Sequence, residues 1–262
     1  MSIKIVTWNV NSIKSRLHQL LPWLKEYTPD VVLLQELKTT NDTFPYMEIE
    51  ELGYNIKAHG QKTYNGVAIL SKFPIDDVRT ILPGEDSDQE ARYIEAVVSL
   101  KDAALRVASI YVPNGQSPDS DKFQYKLRFF KRLRAHVESL LCLEETLVLG
   151  GDYNVAPCPI DVYDPERLDG TVCYHPLERE QLRALSYLGL TDAFRAINPA
   201  QQHFSWWDYR SNGYEAGYGM RIDHLLLSPQ AADKLQSCEI MHTLRGQEKP
   251  SDHAPVSCII NT

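Results

Sequence analysis

The chain is expected to fold as an α/β protein, a four-layer α/β/β/α sandwich with two mainly antiparallel sheets flanked by helices. Three observations lead there. The 262 residues are 43% hydrophobic, enough to bury one large core. The order strand, polar loop, amphipathic helix, strand, acid occurs twice. Both passages deliver polar residues to strand ends, where loops can gather them into one site. Two such halves pack sheet on sheet with their helices outside.

The first passage opens with IKIVTW, a strand that runs into Asn9 and Asn11. Ile13, Leu17, Leu20 or Leu21, and Leu24 then fall three or four apart, a helical period. DVVLLQE follows as a buried strand ending in Glu36. The second passage opens with LRVASI, which runs into Tyr111 and Asn114. Phe123, Leu127, Phe130, Leu133, Val137 and Leu140 form another apolar stripe. The charges of that helix, Lys126, Arg128, Lys131 and Arg132, are expected to be mostly a solvated face, with phosphate contact the minority reading. TLVLGGD closes the passage at Asp152. From Pro157 to about Arg221 the composition predicts long loops with one helix, LEREQLRALSYLG, and long loops in a compact domain are more often functional than idle. In the last strand Ala254, Val256, Cys258 and Ile260 alternate with Pro255, Ser257 and Ile259. Its bland reading is a turn, PSD, before an edge strand. No linker or low-complexity tract divides the chain, so residues 1–262 are read as one catalytic domain.

Composition removes several function classes. A net charge of −8 argues mildly against nonspecific coating of nucleic acid. Local strips matter more: between Ser2 and Lys25 the charged residues are Lys4, Lys14, Arg16 and Lys25, all basic. An acidic protein of this kind can hold a polyanion in one place and a cation in another. The first residues lack the apolar run of a secretory signal, so a cytoplasmic location is expected, with no membrane-facing segment. Five cysteines without C-x-x-C spacing support neither a disulfide framework nor a zinc site. No G-x-S-x-G elbow offers a serine nucleophile.

The acids carry the chemistry. In GGDYNVAP, strand alternation puts Asp152 and Asn154 on one face and Tyr153 on the other. A lone carboxylate after a strand is usually a turn residue or helix cap. Glu36 and Asp152 after two buried strands, with Asn9, Asn11 and Asn154 in equivalent places, suit Mg²⁺ or Mn²⁺ better than zinc. Without a cation or a donor, such carboxylates raise one another's pKa. In RIDHLLLS, Asp223 and His224 face opposite ways, so His224 is an ordinary strand histidine and Asp223 needs a histidine from elsewhere. His253 supplies one, its tautomer fixed by that carboxylate, and Asp252 is left to face a metal. Tyr111 reads either as a half-buried strand residue or as a phenol donating to a phosphoryl oxygen beside Asn114. Trp206, Trp207, Tyr209, Tyr214 and Tyr218 surround Arg210 in a Gly-rich stretch; half suit a core and the rest suit stacking on a sugar or base.

Together, TWNVNSIKSR, LLQELK, YNGVAILS, YVPNG, GGDYNVAP, FSWWDYRS, RIDHLLLS and SDHAPV resemble, in order, the exonuclease III family of DNA-repair nucleases. That family sits in the endonuclease/exonuclease/phosphatase superfamily. The resemblance implies a four-layered sandwich and Mg²⁺-dependent phosphodiester hydrolysis on duplex DNA, with Mn²⁺ as a substitute. Incision 5′ to abasic sites and trimming of 3′ ends, as exonuclease or 3′-phosphatase, are the implied activities. The implied form is a cytoplasmic monomer, associated with the nucleoid when acting. By motif position the implied metal set is Asn9, Glu36, Asp152, Asn154 and Asp252, with Glu36 the principal ligand. Asp152 activates the water or protonates the leaving group, and Asn154 holds the water and the transition-state oxygen. His253, oriented by Asp223, faces the phosphate with Tyr111 and Asn114. Trp206 and Met220 wall the abasic-sugar pocket, and Arg210 lies in the same aromatic stretch. Asn11 stands where certain relatives carry aspartate, and Met220 where some carry tryptophan. The general base stays open between Asp152 and His253. Two rivals remain: the same scaffold acting on RNA, a phospholipid or a small phosphoester, and an inert DNA-binding module. The second predicts substitutions among the acids, Asn154 or His253, and the sequence has none.

Overall fold

Each of the two repeated passages closes into a parallel strand–helix–strand unit at the centre of its own sheet. In the computed structural model, which describes residues 1–261, β1 (Ser2–Asn9) and β2 (Val31–Gln35) pair in parallel across the helix Ile13–Tyr27. The first sheet runs β13 (Leu235–Ile240), β14 (Val256–Asn261), β1, β2, β4 (Val67–Ser71), β3 (Asn55–His59). In the second passage β7 (Ala104–Tyr111) and β8 (Leu147–Asp152) pair in parallel across the helix Asp121–Leu141. The second sheet runs β5 (Ile75–Arg79), β6 (Tyr93–Ser99), β7, β8, β12 (Asp223–Leu227), β9 (Thr191–Asp192). All other neighbouring strands in both sheets are antiparallel. A short ribbon of β10 (Trp206–Trp207) and β11 (Gly219–Met220) stands beside them.

Side-chain alternation builds the layers. Ile3, Ile5, Val31 and Leu33 of the first sheet meet Val107, Val148 and Leu225 of the second in one buried cluster. The opposite faces carry Val6, Trp8, Val32 and Leu34, which pack on Ile13, Leu20 and Leu24 of the first helix. Ala108, Ile110 and Leu149 pack on Phe130, Leu133 and Val137 of the second. Three apolar seams therefore separate four layers, the predicted sandwich. Toward the strand ends the seam between sheets turns polar: Gln35 Nε2 donates to Thr7 Oγ1 at 3.0 Å and to Ser109 Oγ at 2.9 Å. Gly150 lets the sheets approach there, because a β-carbon would stand 2.6 Å from Leu33 Cδ1.

Three expectations change. The predicted loop region holds its helix at Pro176–Tyr187, and it adds short helices at Pro165–Leu168, Ala193–Ile197 and Gly213–Ala216. The last strand is internal, since β14 is paired on both sides by β13 and β1. Arg128 and Lys131 are exposed as expected, but Lys126 is completely buried and Arg132 is paired with Asp88 at 2.7 Å. All five cysteines are free. Among the described residues, no helix is long and apolar enough to cross a membrane.

Candidate active site

Strand register puts three of the predicted residues side by side. Tyr111 lies opposite Asp152 across β7 and β8, and Asp152 lies opposite Asp223 across β8 and β12. From the first sheet, β1 ends in Asn9 opposite Gln35 of β2, with Glu36 next along the chain. Trp206 pairs with Met220 in the ribbon and bridges to His253. A cleft of about 290 Å³ is lined by Glu36, Tyr111, Asn114, Asp152 and Asn154. Trp206, Arg210, Met220, Asp252 and His253 line it as well. Asn9 and Asp223 stand behind this lining.

The geometry corrects how Asp152 and Asn154 come together. The strand ends at Asp152, and Asn154 adopts left-handed backbone, φ 52°. Its N–H donates to Asp152 Oδ1 at 2.9 Å, an Asx-type turn. The turn, not the pleat, puts both side chains in the cleft. Tyr153 is buried away from it, its hydroxyl donating to the Leu149 carbonyl at 3.1 Å. Glu36 (φ 51°), Lys38 (φ 53°) and Cys173 (φ 71°) are also left-handed. Such backbone costs a residue with a β-carbon about 1–2 kcal/mol.

Among the described residues, one group of three has ligand atoms within 4.8 Å of one another: Glu36, Asp152 and His253. Asn9 serves this group as a donor. Its Nδ2 reaches Glu36 Oε1 at 2.8 Å and Asp152 Oδ2 at 3.0 Å, while its Oδ1 accepts from Asn11 N at 2.9 Å. The amide hydrogens bridge two carboxylates, and the oxygen, which has two lone pairs, accepts one bond from the turn. Asp252 also stands outside the group, with Oδ1 accepting from Asn11 Nδ2 at 2.8 Å and Oδ2 from Trp206 Nε1 at 3.1 Å. Asn154 Oδ1 accepts from Asn114 Nδ2 at 3.0 Å, and its Nδ2 donates to the Val112 carbonyl at 3.0 Å. A primary amide has two N–H bonds, so one remains to donate into the cleft.

His253 is held as predicted. Its Nδ1 lies 2.9 Å from Asp223 Oδ2, which also accepts from Ser205 Oγ at 2.6 Å. Its Nε2 turns toward Asp152 Oδ2 at 3.7 Å. Burial opposes the imidazolium, but Asp223 and Asp152 outweigh it and move His253 up to about 10. Burial drives Asp152 up to about 7, opposed by His253 and reinforced by Asp223 and Glu36. At Glu36 burial is overcome by Lys38 and by the Asn9 hydrogen bond, so its pKa is lowered. Burial, then the charges of Glu36 and Asp152, hold the Tyr111 phenol well above its ordinary range. His224 faces away from the cleft, bonded to the Val155 carbonyl at 2.8 Å.

Lys38, Ser205, Cys173 and Arg92 were not singled out from sequence. Lys38 pairs with Glu36 at 2.8 Å and stands two residues after it in ELK. Cys173 lines the cleft, and Arg92 stacks on Tyr111 with 4.8 Å to the ring centroid. Neither Cys173 nor Arg92 carries a sequence signal of its own. The donor set suits a hard divalent cation: two converging carboxylates, one of them pushed toward neutral pH by burial, beside an imidazole. Hydrolysis at an anionic centre is what such a set can support.

The comparisons agree with this geometry. Residues 6–253 match the model of the endonuclease/exonuclease/phosphatase family. The chain is 36% identical over 262 residues to exodeoxyribonuclease III of Haemophilus influenzae, covering 97% of this chain and 98% of that one. Among solved structures, an AP endonuclease from Archaeoglobus fulgidus superposes with a TM-score of 0.94 at 39% identity, covering 99% of this chain and 100% of the other. A 3′ phosphatase from Neisseria, bound to a product DNA hairpin, gives 0.94 at 38% identity with the same coverage. Two sheets with this topology, a cleft at their joined strand ends and a match from first strand to last establish that the chain belongs to the endonuclease/exonuclease/phosphatase family.

Proposed function

We propose that this chain is a Mg²⁺-dependent DNA-repair phosphodiesterase. It incises duplex DNA 5′ to abasic sites and trims blocked 3′ ends as a 3′-5′ exonuclease and 3′-phosphatase. It acts as a monomer of one catalytic domain, in the cytoplasm and on the nucleoid. The observation that carries this reading is the convergence of Glu36, Asp152 and His253 within 4.8 Å at the ends of two sheets.

Glu36 and Asp152 are the residues that would hold Mg²⁺, with Mn²⁺ as an alternative. Bound there, the ion supplies Lewis-acid polarisation of a phosphoryl oxygen. The chain's own residues do the rest. Asp152, poised at about 7, can take or give a proton near neutral pH. The free Asn154 N–H holds the attacking water or a phosphoryl oxygen beside it. His253 stays cationic, with the Nδ1 proton toward Asp223, and turns Nε2–H to the phosphate. Tyr111 keeps its phenolic proton and donates it as a hydrogen bond, with Asn114 alongside. Preorganised donors of this kind stabilise charge that develops only in the transition state. Trp206 and Met220, facing one another in the ribbon, flank the sugar, and Asp252 steadies that wall through the indole N–H.

A duplex bearing a tetrahydrofuran abasic analogue tests the reading, with Mg²⁺ or EDTA, beside Asp152→Asn. Metal-dependent incision that the variant loses is the expected result. Phosphate release from 3′-phosphate ends without nicking would reassign the protein to end trimming alone. Binding without turnover by the unmutated chain would leave an inert DNA-binding module.

A further inference from the structure

The helix Asp121–Leu141 sends one charge into the interior. Lys126 is completely buried, as is its partner Glu178. Its ammonium bonds to a Glu178 carboxylate oxygen, to the Asn114 carbonyl at 3.1 Å and to the Asn154 carbonyl at 2.8 Å. An ammonium has three N–H bonds, so each meets one acceptor. The two carbonyls belong to the two amide residues of the cleft wall, whose side chains are themselves joined at 3.0 Å. Glu178 is also engaged on its other side: its second oxygen accepts from His175 N at 3.1 Å and closes the first turn of the helix Pro176–Tyr187. Gly115 makes room for the lysine. It adopts φ +95°, and a β-carbon there would stand 3.2 Å from Lys126 Cδ.

A buried ion pair is a weak device for stability, since apolar residues of similar volume often do as well or better. What apolar residues cannot do is bind two carbonyls and fix their direction. Here the fixed carbonyls belong to the two amide residues that line the cleft. We infer that Lys126 is a positioning residue. Held by Glu178, it anchors the Asn114 and Asn154 backbones; Asn114, bonded to Asn154 Oδ1 and Cys173 Sγ, braces the Asn154 amide, and the remaining Asn154 N–H is thereby aimed at a phosphoryl oxygen. It touches no substrate atom. The inference rests on the phosphodiesterase reading of the cleft.

The test compares the unmutated chain, Lys126→Met, Glu178→Gln and the double variant Lys126→Met/Glu178→Leu. Melting temperature, kcat and KM on the abasic duplex are measured with Mg²⁺. Lys126→Met should lose stability, because Glu178 is left buried and unpaired, and the double variant should regain it. In both, kcat should stay about 10²-fold low, the cost of a misplacement near 1 Å, with KM little changed. Glu178→Gln leaves Lys126 on its two carbonyls and should keep more of kcat than Lys126→Met. A double variant with full kcat, or equal kcat losses in Lys126→Met and Glu178→Gln, would overturn the inference. So would side-chain amide NMR signals of Asn114 and Asn154 left unmoved in the double variant, a readout that needs no turnover. Absence of Mg²⁺-dependent cleavage by the unmutated chain would instead remove the phosphodiesterase reading.

Discussion

Strand β12 separates two charged clusters that use the same residue types to opposite ends. Asp223 points to the cleft, and His224 points to the other side, where Arg221 is buried. On that side Arg221 Nε meets Asp161 Oδ1 at 2.7 Å and its Nη1 meets Asp192 Oδ2 at 2.8 Å, and Arg195 adds a bond to Asp161 at 2.5 Å. Burial works against the Asp192 carboxylate, but Arg221 and His224 outweigh it and hold its pKa far below the usual range. Across the strand, burial raises Asp152 to about 7, with His253 opposing the rise and the Asp223 and Glu36 carboxylates adding to it. A buried acid matched to guanidinium is part of the frame. Asp152 shares its cleft with two other carboxylates and one imidazolium, so its charge is only partly matched there, and a proton or a metal completes the balance.

The sharpest way to break this contrast is one carboxyl-to-amide change on each side. Asp152→Asn should cut incision by about 10²–10⁴-fold, the range for loss of a positioned acid or base. Its melting temperature should hold or rise, since a charge penalised by burial is gone. Asp192→Asn should do the reverse, costing about 3 kcal/mol of stability by leaving Arg221 underpaired, with normal turnover in the folded fraction. Urea unfolding beside steady-state rates checks both. Comparable loss of turnover in the two variants would erase the distinction.

The pH dependence of stability should separate the clusters next. Asp192 has a depressed pKa, so its contribution is present above the unfolded value of 3.8 and is lost as pH falls. His253 has a raised pKa, so its contribution is full below 6.5 and is lost as pH rises through about 10. Asp152 follows the raised pattern, losing its contribution between 3.8 and about 7. Metal-free protein should therefore show an acid limb that Asp192→Asn flattens and an alkaline limb that Asp223→Asn flattens. Denaturant melts from acid to alkaline pH check this, and one variant flattening both limbs would contradict it.

The smallest effect belongs to the cleft rim. The Arg210 side chain is 95% exposed and 3.8 Å from Asp208. Arg210→Ala should reduce the salt slope of DNA binding by about 1, with little change in kcat. Fluorescence anisotropy across a salt series measures it, and an unchanged slope would remove Arg210 from the DNA path.

Much of this was legible from sequence wherever a pattern had one physical cause. Leu147 to Leu149 and Val31 to Leu34 are continuous apolar runs because they are buried on both faces, and so Glu36 and Asp152 could be placed at their ends. Alternation alone separated Asp223 from His224. The edge strands β3 and β5 carry no readable alternation because exposed side chains interrupt their pattern. Left-handed backbone at Glu36 and Cys173 has no sequence signature, and the direction of the Asn9 amide depends on two carboxylates brought in by folding. Lys126 did carry a signal. It lies three residues after Phe123 and four before Phe130, on the apolar stripe, where a solvated lysine does not belong.

The most direct test of the acid-among-acids account is to locate the cation. Crystals soaked in Mn²⁺ should give an anomalous difference peak between the Glu36 and Asp152 carboxylates, and Glu36→Gln should abolish or weaken it. At saturating Mn²⁺, a map with no density there, or with the ion held only by other residues, would contradict the role given to this cluster.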